Sequence, residues 1–373
     1  MAVRALARVN LAAIERNCLR LARELRADTA FGAVVKADGY GHGAAAAARA
    51  AVAGGATWLC VAAADEARDL RTAGIGERIL VMGTLSADEL DTALAADADV
   101  VAWRTTFVEM VRGRGHSARV HVKLDSGMGR LGTRDPAEAD RVAGAVAQAP
   151  GLELAGAMTH LATADEPDDD GYFDAQLACF TPWAQALKRA HPGLLVHAAN
   201  SAATLRDRAA HFDLVRCGIA VYGMDPFHRD PLERELEPAL SLHSYVADLK
   251  HCEPGESAGY GRRFVARTPT DVAILPIGYG DGVRRGLTNN SDVLIGGRRY
   301  PLVGTVSMDN VSVDVGTAPE IASGTVATLI GPDGSERITA EEMGRRLDTI
   351  NYEITCGLTA RVPRQYHRDG VPV

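Results

Sequence analysis

Lys36 sits in "FGAVVKADGYGHG" (31–43), where four residues suited to a buried strand run into a cationic amine. An acid, a tyrosine and three glycines follow within seven positions. A lysine at the dry end of a strand has a lowered pKa, and a neutral amine condenses with aldehydes. Other polar residues stand at comparable places. Lys123 lies late in "RVHVKL" (119–124), and His160 ends "LELAGAMTH" (152–160). Asn200 ends "LLVHAAN" (194–200) with Ser201 next to it, and Arg216 precedes Gly218 and Ile219 in "FDLVRCGI" (212–219). Any one of them reads equally well as a satisfied ion pair or a wetted rim. Five at like positions point to one site.

The elements that position them alternate. Short apolar runs at 32–36, 58–62, 78–83, 99–103, 119–124, 152–160, 194–200 and 212–219 are separated by helical stretches such as 86–94 and 135–149. In the first of these stretches Ser86 stands three residues before Glu89, as in a capping box. Eight strands with intervening helices over about 230 residues predict a (β/α)8 barrel of the TIM type. An open doubly wound sheet competes, but the glycine-rich dinucleotide turn is missing after the first strand. Past residue 240 the texture changes to strand-like runs at 239–251, 271–280, 292–307, 310–316 and 325–331, with a hairpin expected at Gly296–Gly297. Only 339–348 reads as a helix there, capped by Thr339. A mostly-β C-terminal domain is therefore expected beyond a boundary near 235–242.

In such barrels chemistry gathers at the C-terminal ends of the strands, and the last two strands often cradle a phosphate. Ser201 with the backbone amides of Gly218 and Ile219 suits that task. A lysine and a phosphate cradle on one rim suggest pyridoxal 5'-phosphate. An aldolase-like lysine acting on a sugar phosphate stays open on these residues alone. The bulk composition excludes other classes. Of 373 residues 47% are hydrophobic and 24% charged, with a net charge of -8, and no basic cluster alternates with aromatics, so no nucleic-acid surface is expected. The most apolar tract is broken by Arg49 and a glycine pair, so no membrane span is expected. "MAVRALARVNL" lacks an apolar leader region, which predicts a cytoplasmic protein. Six cysteines without C-x-x-C spacing predict neither structural zinc nor a disulfide framework, and no metal site is expected.

Nine segments in order, "AVVKADGYGHG" (33–43), "HVKLDSGMGRLG" (121–132), "THLATAD" (159–165), "HAANSAA" (197–203), "VRCGIAVYG" (215–223), "AGYGRRF" (258–264), "PIGYGDGVRR" (276–285), "PLVGTVSMDNVSVDV" (301–315) and "NYEITCGLTARVPRQY" (351–366), resemble the bacterial fold-type III alanine racemases. The resemblance implies a barrel over 11–238 and a mostly-β domain over 239–373 joined by residues 1–10. It also implies a homodimer whose sites are shared between subunits, with L- and D-alanine as substrates and D-alanine supplied for peptidoglycan. Lys36 corresponds to the lysine that forms the internal aldimine with pyridoxal phosphate. Tyr40, Ser201, Gly218, Ile219 and Tyr352 correspond to phosphate ligands, with Asn200 beside them. Arg216 corresponds to the arginine at the pyridine nitrogen, and His160 to the histidine packed on the ring. Tyr260 matches a tyrosine reaching in from the partner, which makes Tyr260 and Lys36 a two-base pair. Arg130 and the backbone near Met308 and Asp309 correspond to carboxylate-binding groups. Lys123 corresponds to a lysine that some members carry as a carbamate. Tyr279 and Arg285, with Tyr352, resemble an entrance gate.

Four positions depart from the common motifs: Ser126, Cys217, Thr305 and Asn310. Thr305 replaces a frequent arginine, so a lost cation near the gate is the expected consequence. Arg216 argues against a related decarboxylase, which sets a carboxylate against the ring nitrogen. A racemase with another small substrate such as serine is poorly excluded, because one hydroxyl changes little in a small pocket. A simple cofactor carrier would lack the second domain.

Overall fold

Branched and small side chains in runs of three to seven residues build one parallel sheet in the computed structural model, which describes residues 3–373 except 167, 169 and 319. The first strand of the chain, β1 (Leu6–Asn10), lies elsewhere. The parallel sheet holds β2 (Ala30–Val34), β3 (Trp58–Val61), β4 (Arg78–Val81), β5 (Ala98–Ala102), β6 (Ala118–Lys123), β7 (Leu152–Met158), β8 (Leu195–His197) and β9 (Leu214–Cys217). Neighbours pair in sequence order from β2 to β8, and β9 returns to pair with β2. Between β8 and β9 the ladder is irregular. The Asp213 amide donates to the Val196 carbonyl (2.9 Å), while the Asp213 carboxylate accepts from the Val196 amide (2.7 Å). A side chain thus stands in for a backbone acceptor, and the barrel is nearly closed.

Helices follow the strands because their alanine-rich faces pack against them and their ends are capped. Ser86 and Glu89 form the expected reciprocal box at the start of the helix Ala87–Ala95. Asp135 caps the helix Pro136–Gln148, with proline at its first turn. Every expected barrel strand exists. The last three are shorter than their apolar runs at 152–160, 194–200 and 212–219, because the ends of those runs belong to loops.

The chain divides into two compact units, one of residues 14–221 and the other joining the stretch through Ala13 to Tyr222–Val373. Composition places the boundary later, at 235–242. The intervening stretch goes with the second unit because polar contacts tie it there. The Asp225 amide donates to Glu341 Oε1 (3.0 Å), Asn351 Nδ2 donates to the Asp225 carbonyl (2.8 Å), and Arg337 pairs with Asp230.

The second unit is built on β10 (Leu240–Tyr245), β11 (Asp248–Cys252), β12 (Ser257–Ala258), β13 (Phe264–Val265), β14 (Thr270–Leu275), β15 (Ser291–Ile295), β16 (Arg298–Val303), β17 (Val311–Gly316), β18 (Val326–Asp333), β19 (Glu336–Ile338), β20 (Arg364–Arg368) and β21 (Val371–Pro372). β1 enters its large sheet, antiparallel to β10 and parallel to β20. Gly296 and Gly297, with φ of 60° and 77°, make the two-residue turn between β15 and β16. The run 239–251 proves to be two strands, and the strand from 271 stops at Leu275, before Pro276. A second helix, Asn351–Cys356, joins the expected one at Ala340–Arg346. It is six residues long with no side-chain cap, so nothing local announces it. Asn351 instead anchors it through Asp225 and Glu341. No described helix is long and apolar enough to cross a membrane.

Candidate active site

Lys36 opens a tight turn directly after β2. Ala37, Asp38, Gly39 and Tyr40 all have φ between 53° and 62°, a left-handed turn in which three members carry a Cβ. Each such residue costs about 1–2 kcal/mol, so the surroundings must enforce the shape. They do so through carboxylates and the backbone. Glu66 Oε1 accepts from the Ala37 amide (2.6 Å), Asp38 Oδ1 accepts from the Ala44 amide (2.9 Å), and the Asp38 carbonyl accepts from the Gly43 amide (2.8 Å). The turn carries Tyr40 back over the barrel rim, where it is buried.

At that rim Ser201 begins the helix Ser201–Arg206 after β8. The Gly218 amide donates to Ser201 Oγ (2.8 Å), and the Ala220 amide lies at 3.4 Å from the same oxygen. Two amides converging on one oxygen is the arrangement an anionic oxygen requires, and the serine keeps its own O–H to donate. A Cβ at Gly218 would run into the Tyr40 hydroxyl, so Tyr40 closes the cradle from the side. Ile219 is buried beside it. Asn200 is spent locally, its Oδ1 accepting from the Ala203 amide (2.9 Å) as the helix cap.

Around this cradle stand cations. Lys123, at the end of β6, is 5% exposed, and burial followed by the charges of Arg216 and Arg130 lowers its pKa to about 8. Burial pushes the buried Arg216 guanidinium down to about 10. Its Nη1 donates to His197 Nδ1 (2.8 Å) and its Nη2 to the carbonyls of Thr159 (2.9 Å) and Ala198 (3.0 Å), with His160 Nδ1 at 3.4 Å. His160 is held neutral by burial and then by the charges of Arg216, Lys123, Arg130 and Lys36. Arg130 is exposed on a loop that Asp125 organises, accepting from the Gly127 (3.1 Å) and Gly129 (3.0 Å) amides.

The remaining expected residues belong to the second unit. Tyr260, in the turn Tyr260–Arg262, is 75% exposed. Its carbonyl accepts from Thr305 Oγ1 (2.7 Å), so the residue where a cation was expected to be missed works as a backbone tether. The Met308 carbonyl accepts from the Gly280 amide (2.9 Å), and the Ser307 carbonyl from the Tyr279 amide (2.9 Å). Arg361 holds Asp309 (2.5 Å) and Asp281 (3.2 Å), and Asp281 in turn holds Arg4. Tyr279 and Met308 are exposed, as is Arg285, and the half-buried Tyr352 ring lies 6.4 Å from His228.

Residues 9–226 match the family model described as alanine racemase, N-terminal domain, and residues 239–366 the one described as alanine racemase, C-terminal domain. The chain belongs to the alanine racemase family. Its members are isomerases. Curated alanine racemases of Symbiobacterium thermophilum and Geobacillus kaustophilus are both 41% identical to it, over 96% and 97% of this chain and 96% and 94% of theirs. Among solved structures, the Bacillus anthracis alanine racemase with bound L-Ala-P superposes with a TM-score of 0.91 at 38% identity, covering 100% of this chain and 97% of that one. The alanine racemase of D-cycloserine-producing Streptomyces lavendulae gives 0.92 at 35% identity, with 98% of each chain covered.

Within this family architecture, sequence reasoning missed three buried polar groups behind Arg216. His197, His121 and Asp99 are each fully buried inside the barrel. A signal existed: each is a titratable residue with apolar neighbours on both sides, in "ADV" (98–100), "VHV" (120–122) and "VHA" (196–198). Such groups are buried only when bonded.

Proposed function

We propose that this chain interconverts L- and D-alanine with pyridoxal 5'-phosphate as its cofactor, acting as a cytoplasmic homodimer that supplies D-alanine for peptidoglycan. The observation that carries this is the Ser201–Gly218–Tyr40 cradle, whose tyrosine stands four residues along from Lys36 on the same barrel rim. These residues fit the cofactor. The Ser201 and Tyr40 hydroxyls converge on the Gly218–Ile219 backbone, the absence of a Cβ at Gly218 makes room for the tyrosine, and the surrounding cations favour an anion. Tyr40, Ser201, Gly218, Ile219 and, by family correspondence, Tyr352 would hold the phosphate. Lys36 would carry the aldehyde carbon, His160 would flank the ring, and Arg216 would meet the ring nitrogen. When bound, the cofactor supplies the electron withdrawal that acidifies the substrate Cα–H.

The chain's own residues do the rest. Arg216 stays protonated, so it donates a hydrogen bond without surrendering a proton. Lys36 and Tyr260 work on opposite faces of Cα, one removing its proton and the other returning one. Tyr260 takes the proton of the L-isomer and Lys36 that of the D-isomer. Such groups are each worth about 10²–10⁴ in rate. Arg130, with the Met308–Asp309 loop, receives the substrate carboxylate. Lys123, with its pKa lowered to about 8, has enough free amine to attack CO₂. The C–N bond forms, one proton leaves, and the resulting carbamate anion pairs with Arg130 where a cation would repel it.

The test is α-hydrogen exchange in deuterated buffer. In Y260F, exchange from L-alanine is expected to collapse by about a hundredfold or more, while exchange from D-alanine falls far less. Equal loss for both isomers would overturn the two-base division. Failure of the wild-type protein loaded with pyridoxal phosphate to racemise alanine would overturn the function.

A further inference from the structure

Behind Arg216 a chain of side chains crosses the barrel interior. Arg216 Nη1 contacts His197 Nδ1 at 2.8 Å, His197 Nε2 contacts His121 Nδ1 at 2.8 Å, and His121 Nε2 contacts Asp99 Oδ2 at 3.0 Å. All four residues are buried. At the far end, near the starts of β4 and β6, Arg78 Nη2 donates to Asp99 Oδ2 (2.7 Å) and Arg119 Nε to Oδ1 (2.6 Å). Burial works to raise the Asp99 pKa, but the bonds from His121 and Arg119 and the charge of Arg78 outweigh it and hold the carboxyl ionised.

Proton positions along this chain follow from its two ends. A guanidinium only donates, so His197 Nδ1 must be bare and its proton must sit on Nε2. That proton then requires a bare Nδ1 on His121, whose own proton sits on Nε2 and goes to the carboxylate. One tautomer assignment satisfies every contact, with both imidazoles neutral and all three bonds donated towards Asp99. A charged or reversed His121 would set two N–H groups against each other at His197.

The barrel is shaped around this chain. The register of β6 against β7 shifts between Val120 and His121, where a bulge lets His121 face Gly156. A Cβ at Gly156 would collide with the His121 ring. Trp58 meets that ring edge-on at 5.8 Å, and Arg78 stacks over Trp58 at 4.2 Å. Polar groups in a barrel interior are costly unless fully bonded, so such a bonded chain calls for a purpose.

We propose that Asp99 and His121 are positioning residues for Arg216: they lock His197 as its Nε2–H tautomer, which fixes Nη1 and so the placement of the guanidinium that would meet the cofactor ring. This rests on the proposed racemase reading for its consequence, though not for its geometry. With Nη1 held by His197 and Nη2 by the Thr159 and Ala198 carbonyls, the guanidinium cannot turn freely, so it would meet a bound ring in one orientation.

The test joins a spectroscopic readout to kinetics. Long-range ¹H–¹⁵N spectra of histidine-labelled protein, with and without pyridoxal phosphate, should show His121 and His197 as neutral Nε2–H tautomers around neutral pH. Finding either charged, or as the Nδ1–H form, overturns the proposal whether or not the protein racemises alanine. H121L, which cuts the chain, should lower kcat about tenfold, the worth of roughly one strong hydrogen bond, with KM for alanine within about twofold. H121Q, whose amide can donate to Asp99 and accept from His197, should recover most of that loss. D99N removes the charge at constant volume and should lower kcat in the same manner. If the folded H121L and D99N proteins keep wild-type kcat, the positioning role is wrong. If H121L does not fold, the wild-type tautomer spectrum and D99N still decide.

Discussion

Thr305 shows how one side chain substitutes for packing. Tyr260 is too exposed to be fixed by burial, and it is flanked by Gly259 and Gly261 in conformations glycine favours. The Thr305 hydroxyl, itself buried, holds the Tyr260 carbonyl. T305V keeps the shape and removes the donor. It is expected to cost about 1 kcal/mol or less in stability and to lower kcat several-fold, whereas T305S retains activity; steady-state kinetics with thermal melts checks both. Lys123 makes a second prediction at this scale. Its folded pKa of about 8 lies below the unfolded value near 10.4. Between those values the unfolded chain binds the proton that the folded chain has released. Stability therefore rises with pH through that window, and the penalty is complete below it. In CO₂-free buffer K123M should melt above the unmodified wild type at pH 7, with the gap closing towards pH 10. Added bicarbonate should stabilise the wild type and leave K123M unmoved. A K123M protein less stable at pH 7 in the absence of CO₂ would contradict this sign.

At the scale of elements, the cradle depends on how closely β9 and the turn after β2 approach. Gly218 permits the Tyr40 hydroxyl to lie against its Cα. G218A should weaken pyridoxal phosphate binding about tenfold or more, while the cofactor-free protein melts within a few degrees of wild type, since Tyr40 can swing aside. Titration of the cofactor against absorbance and a parallel melt separate the two effects. Unchanged affinity would mean that Tyr40 and Gly218 do not frame the phosphate. Elements with local causes were legible beforehand: the Ser86–Glu89 box, the Thr339 cap and the Gly296–Gly297 turn each follow from residues within four positions. The helix Asn351–Cys356 was not, because its support comes from Asp225 and Glu341, at 126 and 10 residues' distance.

At the scale of the molecule, the proposed bases fall in different units of the fold, Lys36 in 14–221 and Tyr260 in 222–373. A dimer in which each site draws Tyr260 from the partner predicts complementation. Y260F and K36A subunits are each expected to be nearly inactive. After mixing and reassortment, some heterodimers would hold one intact site, and activity should reappear to about a quarter of wild type or less, because half the pairs are hybrids with one good site of two. Native mass spectrometry would confirm exchange. Subunits that exchange yet stay inactive would rule out the shared site.

The amino-acid order by itself determined the eight strand runs, the helices between them and the rim positions of Lys36, Lys123, His160, Ser201 and Arg216. These rest on side-chain periodicity and on where apolar runs end, both local properties. It also carried nine ordered motifs whose joint occurrence named the family. Only the tertiary structure decided what stands behind the rim. Asp99, His121 and His197 come from β5, β6 and β8, spread over almost a hundred residues, and meet because barrel closure and a bulge opposite Gly156 bring them into line. The tether from Thr305 was hidden for the same reason: its partner lies 45 residues away in the chain. A hydrogen bond needs two groups within about 3 Å, and sequence separation says nothing of that distance until the backbone has folded.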